Sequence, residues 1–204
     1  MTRRRLLVAT GSEHKLAELR DLLQLPNTDL VSLRDLGIAD SAVEDGATFE
    51  ENAAIKGLFY GRLARVPTLA DDSGLEVDVL GGRPGVQTRR YAGPEATDEQ
   101  NNIKLLGELA DLNVQAERSA RYQCVLVLVD DGAIVEQTRG SLEGSIASAP
   151  RGSNGFGYDP IFEPATEPVG GRTVGEMTAE EKNQVSHRAQ AARAMRDRLI
   201  ARGF

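Results

Sequence analysis

The stretch "RLLVATGSEHKLAELRDLLQ" limits the fold more than any other. A continuous apolar run reads as a strand covered on both faces, Gly11 breaks it, and Leu16, Leu19 and Leu23 then recur at helical spacing. A strand that empties into an amphipathic helix belongs to the α/β class. "DLVSL" reads as a second strand, followed by "PTLA" and the alternating "LEVDVL". "ARYQCVLVLV" and "AIVEQTRGSLEGSI" flank "DDG" as a hairpin, so the sheet is expected to be mixed rather than purely parallel. Thr48 with Glu51, Thr97 with Gln100 and Thr178 with Glu181 each repeat the capping-box spacing. They predict helices over 49–65, 98–111 and 179–200, the last broken near Ser186.

The 204 residues suit a single domain, or one with a modest second lobe. A net charge of -7 argues against a nucleic-acid polymer as partner, while a small anion needs only a local positive site or a metal. The single cysteine, Cys124, lies in an apolar strand and reads as a buried structural thiol. Two histidines and one cysteine offer no zinc constellation, and no G-x-S-x-G is present. The basic start precedes an apolar run of only about six residues, short of a signal or membrane segment. A cytoplasmic protein with arginines in solvent is the expectation.

Chemistry concentrates in five places. The turn Thr10, Gly11, Ser12, Glu13, His14, Lys15 offers backbone N–H groups at a helix start, where phosphate binds well, with Lys15 as a point charge. No further glycine completes a P-loop or Rossmann fingerprint. In "TLADDSG", Asp71 and Asp72 stand at an expected strand end, followed by Ser73. The residues alone leave two readings of this pair open: an Asp-capped turn, or carboxylates that hold Mg²⁺ against substrate phosphates. "SAVEDG" adds Glu44 and Asp45 ahead of a helix on which Asn52 and Lys56 share a face. "RGSNGFGYDP" sets Phe156 among glycines, suited to stacking on a nucleobase or to filling the core. "EEKNQVSHRAQ" gathers Lys182, His187 and Arg188.

These segments together resemble the noncanonical purine nucleoside triphosphate pyrophosphatases, also called inosine or xanthosine triphosphate pyrophosphatases. The resemblance rests on "ATGSEHK", "TFEENAAIKG", "ADDSGLEVDVLGGRPGVQTRRYAG", "GFGYDPIF" and "EEKNQVSHRAQA", in the family's order across nearly the whole chain. It implies an elongated mixed sheet flanked by helices, forming two lobes around a central cleft within one domain spanning 1–204, commonly as a homodimer. It implies Mg²⁺-dependent cleavage of ITP, dITP or XTP between the α and β phosphates. Asp72 would be the general base and a metal ligand, and Glu44 the other metal ligand. Thr10 to Lys15 and Lys56 would hold the triphosphate, with Ser73 touching substrate. Phe156, Gly157, Tyr158, Asp159, Lys182, His187 and Arg188 would form the nucleoside pocket. Two positions depart from the family: Ser12 replaces a usual Asn, and Arg89 stands where a small residue is common. The alternatives are a pyrophosphatase of other modified nucleotides and a nucleotide sensor without turnover.

Overall fold

The computed structural model describes residues 3–112 and 115–204. Six strands form one sheet in the order β2-β1-β3-β4-β5-β6: β1 Arg4–Ala9, β2 Thr28–Ser32, β3 Thr68–Val77, β4 Ser119–Asp130, β5 Ala133–Ile146 and β6 Phe162–Pro164. The first strand runs parallel to β2 and to β3, whereas β5 and β6 are antiparallel, so the sheet is mixed. The helices are α1 Glu13–Leu23, α2 Phe49–Ala64, α3 Asp98–Glu108, α4 Ala179–Val185 and α5 His187–Ala201.

All three expected capping boxes form, at Thr48, Thr97 and Thr178, and Thr173 with Glu176 makes another. The long C-terminal helix divides where expected. Ser186 is extended (φ -62°, ψ 153°), which ends α4 before α5 begins. Strands β4 and β5 join through Asp131 and Gly132, both at positive φ (48° and 76°), the backbone of a two-residue type I′ turn.

One expectation needs correction. "PTLA" and "LEVDVL" are not separate strands with a turn between them. Residues 68–77 form the single strand β3, and the "DVL" end of the second segment is a 3-10 turn, Asp78–Leu80. Pairing with β1 stops at Ala9–Ala70, but β4 flanks β3 on its other side, so the strand continues through Asp71 and Asp72. The amino-terminal arginines are not merely solvated either. Arg3 pairs with Asp29 at 2.8 Å, and the Arg4 guanidinium lies 3.8 Å from the Phe204 ring centroid.

The chain divides into two compact units. The first comprises the residues up to Asp72, Cys124–Gly140 and Arg188–Phe204. On one sheet face, Leu6, Val8, Leu69 and Leu126 pack against Leu16, Leu19 and Leu23 of α1 and Ala192, Met195 and Leu199 of α5. On the other face, Leu7, Ala9 and Ala70 pack against Tyr60 of α2. Cys124 is buried in the first of these layers, and burial pushes its thiol up to about 12, as a structural cysteine requires. The second unit comprises Ser73–Gln123 and Ser141–His187. Its own core includes Leu75, Val77, Leu105, Ile146, Ile161 and Phe162. Among the described residues, no helix is long and apolar enough to cross a membrane.

Candidate functional site

Successive strand residues face opposite sides of a sheet, and this separates the two aspartates. Asp71 continues the face of Leu69, towards α1 and α5, and Asp72 continues the face of Ala70, towards α2. On the first side, the Lys15 ammonium lies 2.9 Å from the Asp71 carboxylate and the Arg188 guanidinium 3.6 Å away. Arg188, fully buried, also pairs with Glu18. Burial opposes ionisation of Asp71, but Lys15, Arg188 and Lys56 outweigh it and hold the carboxyl well below the usual range.

On the second side, Lys56 Nζ lies 3.2 Å from Asp72 and 2.8 Å from Glu44. Lys56 is buried at 8% exposure, so the polar stripe of α2 is an interior feature rather than a solvated one. Its partner on that stripe, Asn52, exchanges hydrogen bonds with the backbone of Gly46 and so pins the loop that carries Glu44. Asp45 remains exposed. Desolvation raises the Asp72 pKa above the ordinary carboxylate value, against the pull of Lys56 and Lys15. For Lys56, burial disfavours the charge, yet Asp72, Asp71 and Glu44 overcome it and keep the ammonium firmly protonated.

The turn before α1 is built by its own side chains. The N–H of Ser12 donates to Thr10 Oγ1 (3.2 Å), and Ser12 Oγ caps the helix by accepting from the N–H of Lys15 (3.4 Å). Gly11, Glu13 and His14 are exposed, and no atom of the described residues lies within 4 Å of the position a Gly11 side chain would take.

In the second unit, Asp159 is the hub. It accepts from Lys182 Nζ (2.7 Å), from the Tyr122 hydroxyl (3.2 Å) and from the N–H of Phe156 (2.9 Å). Lys182 Nζ lies 4.4 Å from the Phe156 ring centroid, and His187 stacks on Tyr122 at 4.7 Å with planes 9° apart. Gly155, at φ 75°, is required here because a Cβ would run into the Asp159 carboxylate. Tyr158 is core, its hydroxyl donating to the Thr88 carbonyl at 2.8 Å. Ser73 is buried on β3. Phe156, Asp159, Lys182 and His187 are thus assembled in one unit, whereas Arg188 belongs to the first, with Glu18 and Asp71.

Residues 6–198 match the model of the Ham1 family. The chain belongs to the Ham1 family. It is 46% identical over 186 residues to a dITP/XTP pyrophosphatase of Syntrophobacter fumaroxidans, covering 91% of this chain and 78% of that protein. It is 44% identical over 199 residues to a dITP/XTP pyrophosphatase of Escherichia coli, covering 96% and 98%. A Ham1 protein of Coxiella burnetii superposes with a TM-score of 0.86 at 38% identity, over 97% of this chain and 99% of that one. A nucleoside-triphosphatase (dITP/XTP pyrophosphatase) of Mycobacterium abscessus gives a TM-score of 0.75 at 42% identity, over 94% and 98%.

A divalent ion fits this Ham1 chain on the chemistry of its donors. Among the described residues no cluster of three or more His, Cys, Asp or Glu is arranged to hold a metal by itself. Mg²⁺ needs no such cage, since one or two carboxylates, waters and substrate phosphates complete its shell. Asp72 and Glu44 supply two hard oxygen donors, and the Lys56 ammonium, within 3.2 Å of both, already marks the space between them as one that favours a cation. Sequence reasoning missed Glu18 and Tyr122. Glu18 follows Lys15 by one helical turn, a signal available but masked by the leucine stripe. Nothing local marked Tyr122, which faces Asp159 only because β4 carries it there.

Proposed function

We propose that this chain is a Mg²⁺-dependent pyrophosphatase of noncanonical purine nucleoside triphosphates, ITP, dITP and XTP among them, releasing the monophosphate and pyrophosphate. The observation that carries the proposal is the buried Asp72, fixed on β3 beside Lys56 and Glu44. The near-full-length relatives named dITP/XTP pyrophosphatase supply the substrate class.

Asp72 acts as general base. Its carboxylate takes a proton from a water, the water oxygen bonds to the α-phosphorus, and the bridging oxygen leaves with pyrophosphate. Lys56 steadies the carboxylate and adds positive charge where the triphosphate is negative. Asp72 and Glu44 would hold the metal, which when bound neutralises phosphate charge and polarises the oxygens at the reacting phosphorus. The backbone from Thr10 to Lys15, at the start of α1, receives phosphate oxygens. Phe156 offers a ring for stacking. Lys182, a donor-only group, meets the keto O6 of hypoxanthine or xanthine favourably and the 6-amino group of adenine unfavourably. Ser73 and His187 are assigned to the remaining substrate contacts, while Arg188, buried against Glu18 and Asp71, braces Asp71 on the other side of the sheet from Asp72. A cytoplasmic homodimer belongs to the same proposal, and a monomer mass by light scattering is the result against the dimer.

A panel of ITP, XTP, dITP, GTP and ATP, with and without Mg²⁺, tests the function. Pyrophosphate and monophosphate from the deaminated purines are expected. Orthophosphate as the first product, or equal turnover of ATP, overturns it.

A further inference from the structure

The segment that carries Phe156 is gripped by helix α3. Gly157 sits at φ 64°, a conformation that glycine adopts without steric cost. Its N–H donates to Asp98 Oδ2 at 2.6 Å, and its carbonyl accepts from Asn102 Nδ2 at 3.1 Å. Asp98 and Asn102 are four residues apart, on one face of α3, and hold both polar groups of the same residue. Asp159 restrains the chain at Phe156 itself by accepting its backbone N–H.

Asn102 is an unusual choice for this place. It is 7% exposed, and its Oδ1 has no hydrogen-bond partner among the described residues. A buried acceptor left unsatisfied works against folding, so an apolar residue of similar size suits the position better for stability alone. At Asn102 an unpartnered Oδ1 accompanies an Nδ2 that restrains Gly157. Natural proteins accept such a loss where a site requires a fixed geometry.

We propose that Asp98 and Asn102 are positioning residues for base recognition, clamping Gly157 so that the Phe156 ring and the Asp159–Lys182 pair meet a purine already in place. The proposal rests on the assignment of Phe156, Asp159 and Lys182 to the base. A clamp of this kind lowers the ordering cost of binding without touching the reacting phosphorus.

The test compares Asn102→Leu, Asp98→Ala and Asp98→Asn in the full chain with ITP and Mg²⁺, with Lys182→Ala as reference. Asn102→Leu and Asp98→Ala are expected to raise KM for ITP about tenfold with kcat within about twofold. Asp98→Asn, which keeps an acceptor for the Gly157 N–H, is expected to recover most of that loss. Inhibition by pyrophosphate, which probes the phosphate end alone, stays unchanged, and the thermal midpoint of Asn102→Leu is not lowered. If Lys182→Ala raises KM while both clamp variants leave it alone, the clamp is wrong and the base assignment stands. If Lys182→Ala also leaves KM alone, the base assignment falls and the clamp falls with it. A parallel change in pyrophosphate inhibition marks a global distortion and overturns the proposal.

Discussion

Two like charges side by side on a strand carry no intrinsic advantage, yet the pleat sends them to different helices and gives each its own cations. Asp71 meets Lys15 and Arg188, and Asp72 meets Lys56. Their stability contributions therefore have opposite signs. The depressed Asp71 carboxyl stabilises the fold above its ordinary value of 3.8, and that contribution disappears as pH falls through the native value. Asp71→Asn takes the carboxylate from Lys15 and leaves Arg188 with Glu18 alone, so a loss of about 3 kcal/mol is expected at pH 7. The gap to the unaltered protein should narrow below pH 3.8, as urea midpoints at the two pH values will show. Asp72, with its raised pKa, adds stability only at low pH and loses it as pH rises through the native value. Asp72→Asn should thus reduce kcat about 10²–10⁴-fold without lowering the thermal midpoint. A residue whose removal abolishes turnover yet spares the fold is the signature of a catalytic role.

At the scale of elements, α2 does the most positioning, and it does so by lying close to the sheet. Gly57 and Gly61 occupy one helical face, and a Cβ on Gly57 would come 2.9 Å from Val129 Cγ2. Alanine gains about 1 kcal/mol of helix propensity at such a site. Overpacking costs about 1–3 kcal/mol, and the backbone has little room to retreat from β4. Gly57→Ala is therefore expected to lower the urea midpoint and to weaken turnover through its neighbour Lys56. The start of the same helix offers a milder perturbation. Thr48→Ala removes a capping box at a cost of about 1 kcal/mol, seen as a small fall in thermal midpoint, and loosens the chain that brings Glu44 to Lys56.

For the molecule as a whole, each unit has a core of its own, and neither core contains the carboxylates assigned to the metal. Chelation of Mg²⁺ is expected to stop product formation while leaving far-UV circular dichroism and the thermal midpoint unchanged, because Lys56 holds Asp72 and Glu44 in place without it. A non-hydrolysable ITP analogue with Mg²⁺ at about 100 times its Kd should add about 2.7 kcal/mol of stability, read as a rise in midpoint. Unfolding on chelation would mean that the metal is structural.

Local chemistry is legible in the sequence. Apolar spacing gave the strand-helix start, Ser12 and the threonine boxes gave the helix beginnings, and Asp131–Gly132 gave the hairpin, because each depends on neighbours within about four residues. The same locality explains the error at "ADDSG": a strand's length is fixed by its partners, and β4 is supplied from some fifty positions away in the chain. Which cation serves which aspartate was likewise beyond the sequence. Arg188 looked like a companion of Lys182 and His187, but the break at Ser186 and the packing of α5 commit it to Glu18 and Asp71. The sequence by itself determined which groups were present and where elements start. Tertiary structure alone decided which charges are buried together, because desolvation and Coulomb attraction act through space and take no account of order along the chain.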